Sequence, residues 1–275
     1  MLIAVDIGNT NIVIGFIDGD DIVGTYRLTT KTRRTSDEYA MMLSTFMSMS
    51  RINPDEVDDV IISSVVPKVM YAFRSSIRKF LGTEPIIIGP GIKCGINLRL
   101  DEPKTVGADR IADCAGAYYL YGGPVLVIDF GTATTYDYVD ENGVFSAGVI
   151  GVGLETSANS LWSQTAQLPE IEIERPDTIL ATNTKTAMQA GIYFQFLGGV
   201  EYTIAQFRKE IGNDFKVVAT GGLGRVLYDA TDSIDVYDSQ LIFKGLAIIY
   251  ARLHAQSKSG GKTGKSVRSG KSHRR

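Results

Sequence analysis

The sequence predicts an α/β protein built from two similar halves that face each other across a cleft of nucleotide size. Three observations predict it. First, apolar runs of strand length alternate with stretches of helical period along residues 1–256. Second, one arrangement occurs twice. The runs Leu2–Val5 and Val125–Ile128 each end in an aspartate (Asp6, Asp129), followed by one residue, a glycine (Gly8, Gly131), a threonine (Thr10, Thr132) and a second apolar run. Third, another apolar run, Phe215–Ala219, closes in the glycine-rich turn Thr220-Gly221-Gly222-Leu223-Gly224.

Taken in order, residues 1–17 read as a hairpin whose turn, Asp6 to Thr10, carries a carboxylate and a hydroxyl at its tip. Asp21–Leu28 reads as a third strand. Thr35-x-x-Glu38 is a capping box that opens a helix through Tyr39, Met42, Leu43 and Phe46. Val60–Val65 is a strand, Pro67 opens a helix that Gly82 stops, and Ile86–Ile88 is a further buried strand. The second unit begins with a helix over Gly107–Tyr121. Strands follow at 125–129, 133–139 and 144–150, then a helix over 154–166. Asn183 has the character of an N-cap for a long helix reaching Gly212. The chain continues through strands at 215–219 and 234–237 to a helix over 240–255. The expected organisation is residues 1–105, residues 106–256 and a basic tail, 257–275.

Composition narrows the chemistry. The 44% hydrophobic and 21% charged content is that of a soluble globular protein, and no apolar run approaches the roughly 20 residues of a membrane span. Cys94 and Cys114 make no disulfide framework, which fits a reducing cytoplasm. The two histidines, His254 and His273, lie near the C-terminus, so a histidine triad or metal cage is not expected and any general base is a carboxylate or a lysine. Seven basic residues and no acid between Ser257 and Arg275 leave a net charge of −10 on residues 1–256. That acidic body argues against nucleic acid as a partner. The tail, rich in Gly, Ser and Lys, is expected to be disordered. Its Gly264-Lys265-Ser266 ends like a P-loop but lacks the earlier glycine, the strand and the helix.

The two turns offer backbone N–H groups and threonine hydroxyls to phosphate oxygens. A carboxylate beside phosphate makes sense when a divalent cation stands between them. Nucleotide binding alone leaves kinase, ATPase and switch open. The segment that bears on this choice is Gly107-Ala108-Asp109-Arg110, at a helix start where anions are favoured. Arg110 suits a carboxylate on a second substrate, and Asp109 suits a base for an attacking hydroxyl. Read locally, the same pair is also a capping Asp beside a surface Arg.

Six segments in order carry a family resemblance. Asp6-Ile7-Gly8-Asn9-Thr10, Arg34-Thr-Ser-Asp-Glu-Tyr39, Gly107-Ala-Asp-Arg110, Asp129-Phe-Gly-Thr-Ala-Thr-Thr135, Thr182-Asn-Thr184 and Thr220-Gly-Gly222 resemble the motif set of type III pantothenate kinase. The resemblance spans residues 1 to about 255. It implies two ribonuclease-H-like domains of the acetate-and-sugar-kinase/heat-shock/actin-like ATPase fold. It also implies ATP-dependent phosphorylation of pantothenate, the first step of coenzyme A synthesis, by a cytoplasmic homodimer that needs magnesium and a monovalent cation, potassium or ammonium. By the same resemblance, Asp6, Ile7, Gly8, Asn9, Thr10, Asn11, Ile12 and Val13 hold phosphate, with Asp6 near the magnesium. Thr132 contacts ATP and Asp129 binds the monovalent cation. Gly107, Ala108, Asp109, Arg110 and Thr184 hold pantothenate, with Asp109 as general base. Gly221 and Gly222 are expected, from their bare backbone, to let adenine and ribose approach. One position departs: similar enzymes often carry a tyrosine where this chain has Leu100. A rival from another class, a chaperone-like or regulatory ATPase module, would use the same turns without an acceptor. The Gly107–Arg110 segment and the absence of a substrate-binding domain after the second unit argue against it.

Overall fold

The first three strands, β1 (Leu2–Ile7), β2 (Asn11–Asp18) and β3 (Asp21–Thr29), form an antiparallel meander. The computed structural model describes residues 1–89, 91–212 and 214–260. The last helix, Leu241–Gly260, runs past the expected end at 255 and takes in residues 257–260 of the tail expected to be disordered; the rest of that tail, with the Gly264-Lys265-Ser266 segment, lies outside the described residues.

The capping box forms as expected. The Thr35 hydroxyl accepts from the Glu38 N–H, the Glu38 carboxylate accepts from the Thr35 N–H, and α1 runs Ser36–Met49. Then β4 (Asp59–Ser64) pairs parallel with β1, and α2 (Pro67–Leu81) stops where Gly82 turns left-handed at φ 69°. The short β5 (Ile86–Ile87) completes a sheet of order β3-β2-β1-β4-β5.

The second sheet repeats that order. It contains β7 (Val125–Phe130), β8 (Ala133–Val139) and β9 (Val144–Val152) as a meander, with β10 (Lys216–Thr220) and β11 (Val236–Tyr237) added parallel beyond β7. Its order is β11-β10-β7-β8-β9-β6, where the two-residue β6 (Asn97–Leu98) docks on the start of β9. Equivalent strands therefore occupy equivalent places, which is the duplication that the repeated turn predicts.

Helices α3 (Ala108–Tyr121) and α7 (Leu241–Gly260) lie between the two sheets. One core joins Leu2 and Ala4 of β1, Val125 and Val127 of β7, Ile111 and Ala115 of α3, and Leu246 and Ile249 of α7. The outer face of the first sheet packs Ile3, Val5 and Ile7 against Tyr39, Leu43, Phe73 and Ile77. The outer face of the second packs Leu126 and Ile128 against Tyr193, Val200 and Ile204 of α5 (Thr184–Ile211). Asn183 caps α5, its Oδ1 accepting from the Thr186 N–H at 3.0 Å.

Several element bounds differ from the sequence reading. The helix α4 ends at Ser163 (Leu154–Ser163) rather than 166, where the Thr165 hydroxyl donates to the Leu161 carbonyl and competes with a further turn. A five-residue helix, α6 (Gly224–Tyr228), follows the glycine turn, too short to show a period. And β6 is only a two-residue pairing, which composition does not signal.

Candidate active site

The alternation of a strand puts Asp6 on the same face as Leu2 and Ala4, and Asp129 on the same face as Val125 and Val127. Those faces meet the α3–α7 layer, so both carboxylates stand at strand ends beside α3. Asp109 lies in the first turn of α3 and Asp113 one turn on, at the i+4 spacing that puts both on one helix face. The nearby carboxylates act on one another electrostatically. Burial first, and then the charge of Asp109, raise Asp6 to about 7, with Ser63 on β4 partly offsetting. Burial, Asp109, Asp6 and Asp137 together raise Asp129 to about 7. Burial also raises Asp109, against the hydrogen bond it accepts from the Arg110 N–H at 2.8 Å.

The two repeated turns touch. The Thr10 and Thr132 hydroxyls are 2.9 Å apart, although 122 residues separate them in sequence. Each turn is closed by its glycine N–H, Gly8 to the Asn11 carbonyl and Gly131 to the Ala133 carbonyl. Thr30 braces the first turn, its hydroxyl donating to the Gly8 carbonyl at 2.8 Å. Thr156 of α4 braces the second through the Thr132 carbonyl at 2.8 Å. The third turn comes from behind: Gly221 has φ 93°, and a Cβ there would stand 2.6 Å from Asp129 Oδ1 and from the Phe130 backbone. Glycine is required at that point on both grounds.

Arg110 is already engaged. Its guanidinium donates from two nitrogens to Asp137 of β8 and lies over the Phe145 ring, 5.4 Å from the centroid. Asp137 is 2% exposed, and the same guanidinium offsets the rise that burial imposes on its carboxyl. Leu100 packs against the core between the sheets. The structure thus brings together Asp6, the turn to Val13, Gly107 to Arg110, Asp129, Thr132 and Gly221, with Gly222 next along. Thr184, by contrast, is exposed at the start of α5, and among the described residues no hydrogen bond ties it to this cluster.

Asp113 and Asp137 were not singled out from the sequence. Asp113 follows Asp109 at helical spacing and Asp137 lies in a strand of buried parity, and that periodic placement was the available signal. Asp113 is 5% exposed and its Oδ1 has no hydrogen-bond partner among the described residues. Asp6, Asp109, Asp113, Asp129 and Asp137 act on one another electrostatically while Arg110 acts on Asp109 and Asp137, an excess of acid that hard cations with oxygen ligands would relieve. Among the described residues no three carboxylate, thiol or imidazole groups converge on one preformed metal position.

A family model described as type III pantothenate kinase matches residues 2–206. A type III pantothenate kinase of Bifidobacterium longum subsp. infantis is 66% identical over 252 residues, covering 92% of this chain and 99% of the relative. Among solved structures, a Sinorhizobium meliloti protein assigned as a 2-dehydro-3-deoxygalactonokinase superposes with TM-score 0.58 at 13% identity, covering 92% of this chain and 97% of that one. The ethanolamine utilization protein EutJ of Carboxydothermus hydrogenoformans gives TM-score 0.53 at 14% identity, with coverages of 90% and 89%. These structural likenesses speak for the fold alone, the two-domain acetate-and-sugar-kinase/heat-shock/actin-like ATPase fold.

Proposed function

The chain belongs to the type III pantothenate kinase family, and from that premise we propose that it transfers the γ-phosphate of ATP to the hydroxyl of pantothenate, the first step of coenzyme A synthesis. The observation that carries this reading is the meeting of the two turns at Thr10 and Thr132, beside an Asp109 whose charge acts on both Asp6 and Asp129. Phosphoryl transfer depends chiefly on positioning and charge neutralisation, which such a constellation supplies without a histidine.

In this reading Asp6 to Val13 and Thr132 hold the phosphates, and Gly221 and Gly222 admit the nucleoside. Gly107 to Arg110 hold pantothenate, with Thr184 as a further contact. Asp109 accepts the proton of the attacking hydroxyl as its oxygen bonds to the γ-phosphorus and the bond to the β-phosphate oxygen breaks. Burial raises the Asp109 carboxylate toward the operating pH, where a general base is most effective. Arg110, fixed by Asp137, presents its remaining N–H edge to the pantothenate carboxylate. The donor set fits a divalent cation at Asp6 and a monovalent one at Asp129; bound there, the two would neutralise phosphate charge.

Two parts of the reading concern the whole particle. A homodimer is supported by the second half of β9, where Val149, Ile150 and Val152 are exposed beyond the short pairing with β6. A cytoplasmic location is supported by Cys94 and Cys114, both free and buried. Among the described residues no helix is long and apolar enough to cross a membrane.

The test is ADP release from purified protein with ATP and magnesium, with and without pantothenate, in potassium and then in sodium. Pantothenate-dependent release that falls in sodium is expected. Release indifferent to pantothenate would overturn the assignment of acceptor.

A further inference from the structure

We infer that Asp137 and Gly148 set the selectivity for the acceptor, by holding Arg110 so that one pair of its N–H groups stays open to a planar carboxylate. The inference rests on the functional reading above, in which Arg110 meets the acid end of the acceptor. It adds two positioning residues that act through that guanidinium.

The geometry carries it in three steps. First, Asp137 takes one edge of the guanidinium. Nε donates to its Oδ1 at 3.1 Å and to its Oδ2 at 3.0 Å, and Nη2 donates to Oδ1. Among the described residues no other acceptor bonds the guanidinium, so the outer edge, Nη1 with the second hydrogen of Nη2, is left over. Second, that edge has one direction. The Arg110 side chain is 17% exposed, bonded along one side to a buried aspartate and stacked on the wholly buried Phe145 ring. Third, Gly148 makes the room. It stands opposite Asp137 in the pairing of β8 with β9, and a Cβ there would run into Arg110 Nη2 and come within 2.8 Å of Asp137 Oδ1. Gly148 has no positive φ, so its bare Cα serves the guanidinium and not the course of the strand.

A fixed fork turns a charge into a selective contact. A free arginine draws any anion, whereas Asp137 offsets that charge at close range and leaves a directional pair of N–H groups. Two parallel N–H groups match the two oxygens of a carboxylate, and an alcohol offers only one. The acceptor is thus selected at its acid end through Arg110, while its reacting hydroxyl belongs to Asp109, the preceding residue in the first turn of α3. Loss of either positioning residue should therefore weaken acceptor binding more than it slows transfer.

The test compares pantothenate with its alcohol analogue, in which a hydroxymethyl group replaces the carboxylate and the reacting hydroxyl is unchanged. ADP release is followed with ATP, magnesium and potassium in wild type, Asp137→Asn and Gly148→Ala. Wild type should favour pantothenate in kcat/KM by roughly 10–100-fold, the worth of a hydrogen-bonded charge. In each variant the KM for pantothenate should rise about tenfold or more, while kcat and the KM for ATP stay within about threefold, and the preference for the acid should shrink toward parity. Gly148→Ala reaches that end without altering any charge, and it decides the matter where Asp137→Asn does not fold. A lower melting temperature with wild-type KM and preference would make the two residues merely structural and overturn the inference. So would a fall in kcat at unchanged KM and preference, which would tie Asp137 to Asp109 instead of the acceptor. A lower KM in Asp137→Asn would also overturn it, since the aspartate would then only temper the charge of Arg110. One measurement needs no variant: wild-type protein that uses the alcohol as well as the acid would refute the fork as selector. No turnover with either acceptor in wild type would count against the functional reading itself, and the inference would fall with it.

Discussion

Asp6 and Asp129 hold their protons to about pH 7 in the cation-free protein because burial and neighbouring carboxylates penalise their charge. Both pKa values lie above the unfolded value of 3.8, so between about 4 and 7 the native state binds more protons than the unfolded chain. Stability from these groups is therefore fully present below about pH 4 and is lost as pH rises through about 7. Asp109, Asp113 and Asp137 shift in the same direction and add to the trend. Calorimetry in cation-free buffer should show the melting temperature falling between pH 5 and 8, and magnesium with potassium should flatten that fall. An equal slope with and without cations would contradict the assignment. For Asp109 itself, Asp109→Asn should lower kcat by roughly 10²–10⁴-fold while nucleotide binding, followed by calorimetric titration, stays within a few-fold. Asp6, Asp109 and Asp129 were legible in the sequence because each stands beside a glycine at a strand end or helix start. Asp113 and Asp137 were not. Their places in the site come from α3 crossing β8, and that crossing has no local signature.

The elements that hold these residues were legible to different degrees, and for physical reasons. The Thr35 capping box, Pro67 and Gly82, and the Asn183 cap are local chemistry, and each forms where the sequence sets it. The contact of α3 with α7 is different. Gly116 of α3 and Gly245 of α7 let the two backbones approach until a Cβ on Gly116 would lie 3.1 Å from the Gly245 Cα, and one on Gly245 would run into the Ala112 carbonyl. Two glycines in helices read locally as weak points, and only the packed pair explains them. Gly245→Ala must therefore separate the helices, at a cost of about 1–3 kcal/mol or more. Urea denaturation should show a lower midpoint with an unchanged slope. Because α3 carries Asp109, Arg110 and Asp113, kcat should fall at temperatures where the variant is still folded. An Ala variant with wild-type midpoint would mean that the helices can part freely and that this contact does not position the site.

At the scale of the whole molecule, the repeated turn made the two halves legible, and their equivalent sheet orders follow it. What the repeat could not convey is which surface stays apolar after the halves have closed on each other. The pairing of β6 covers only the first two residues of β9, so from Ser146 onward the outer edge of that strand has no partner strand among the described residues. Val149, Ile150 and Val152 on this stretch are 44%, 63% and 56% exposed. A free edge carrying β-branched apolar side chains is a template for pairing with another chain, and single-chain proteins usually guard such edges with charge or proline. Residues 146–152, Ser-Ala-Gly-Val-Ile-Gly-Val, contain neither. A second copy of the chain would bury that edge. Light scattering coupled to gel filtration should then give the wild-type protein a mass twice that of the 29.9 kDa chain. Ile150→Lys, which puts a charge on the edge and leaves the interior untouched, should shift it toward the mass of one chain. A variant that keeps the double mass would place the interface elsewhere, and a monomeric wild type would remove the homodimer from the functional reading while leaving the site chemistry as argued.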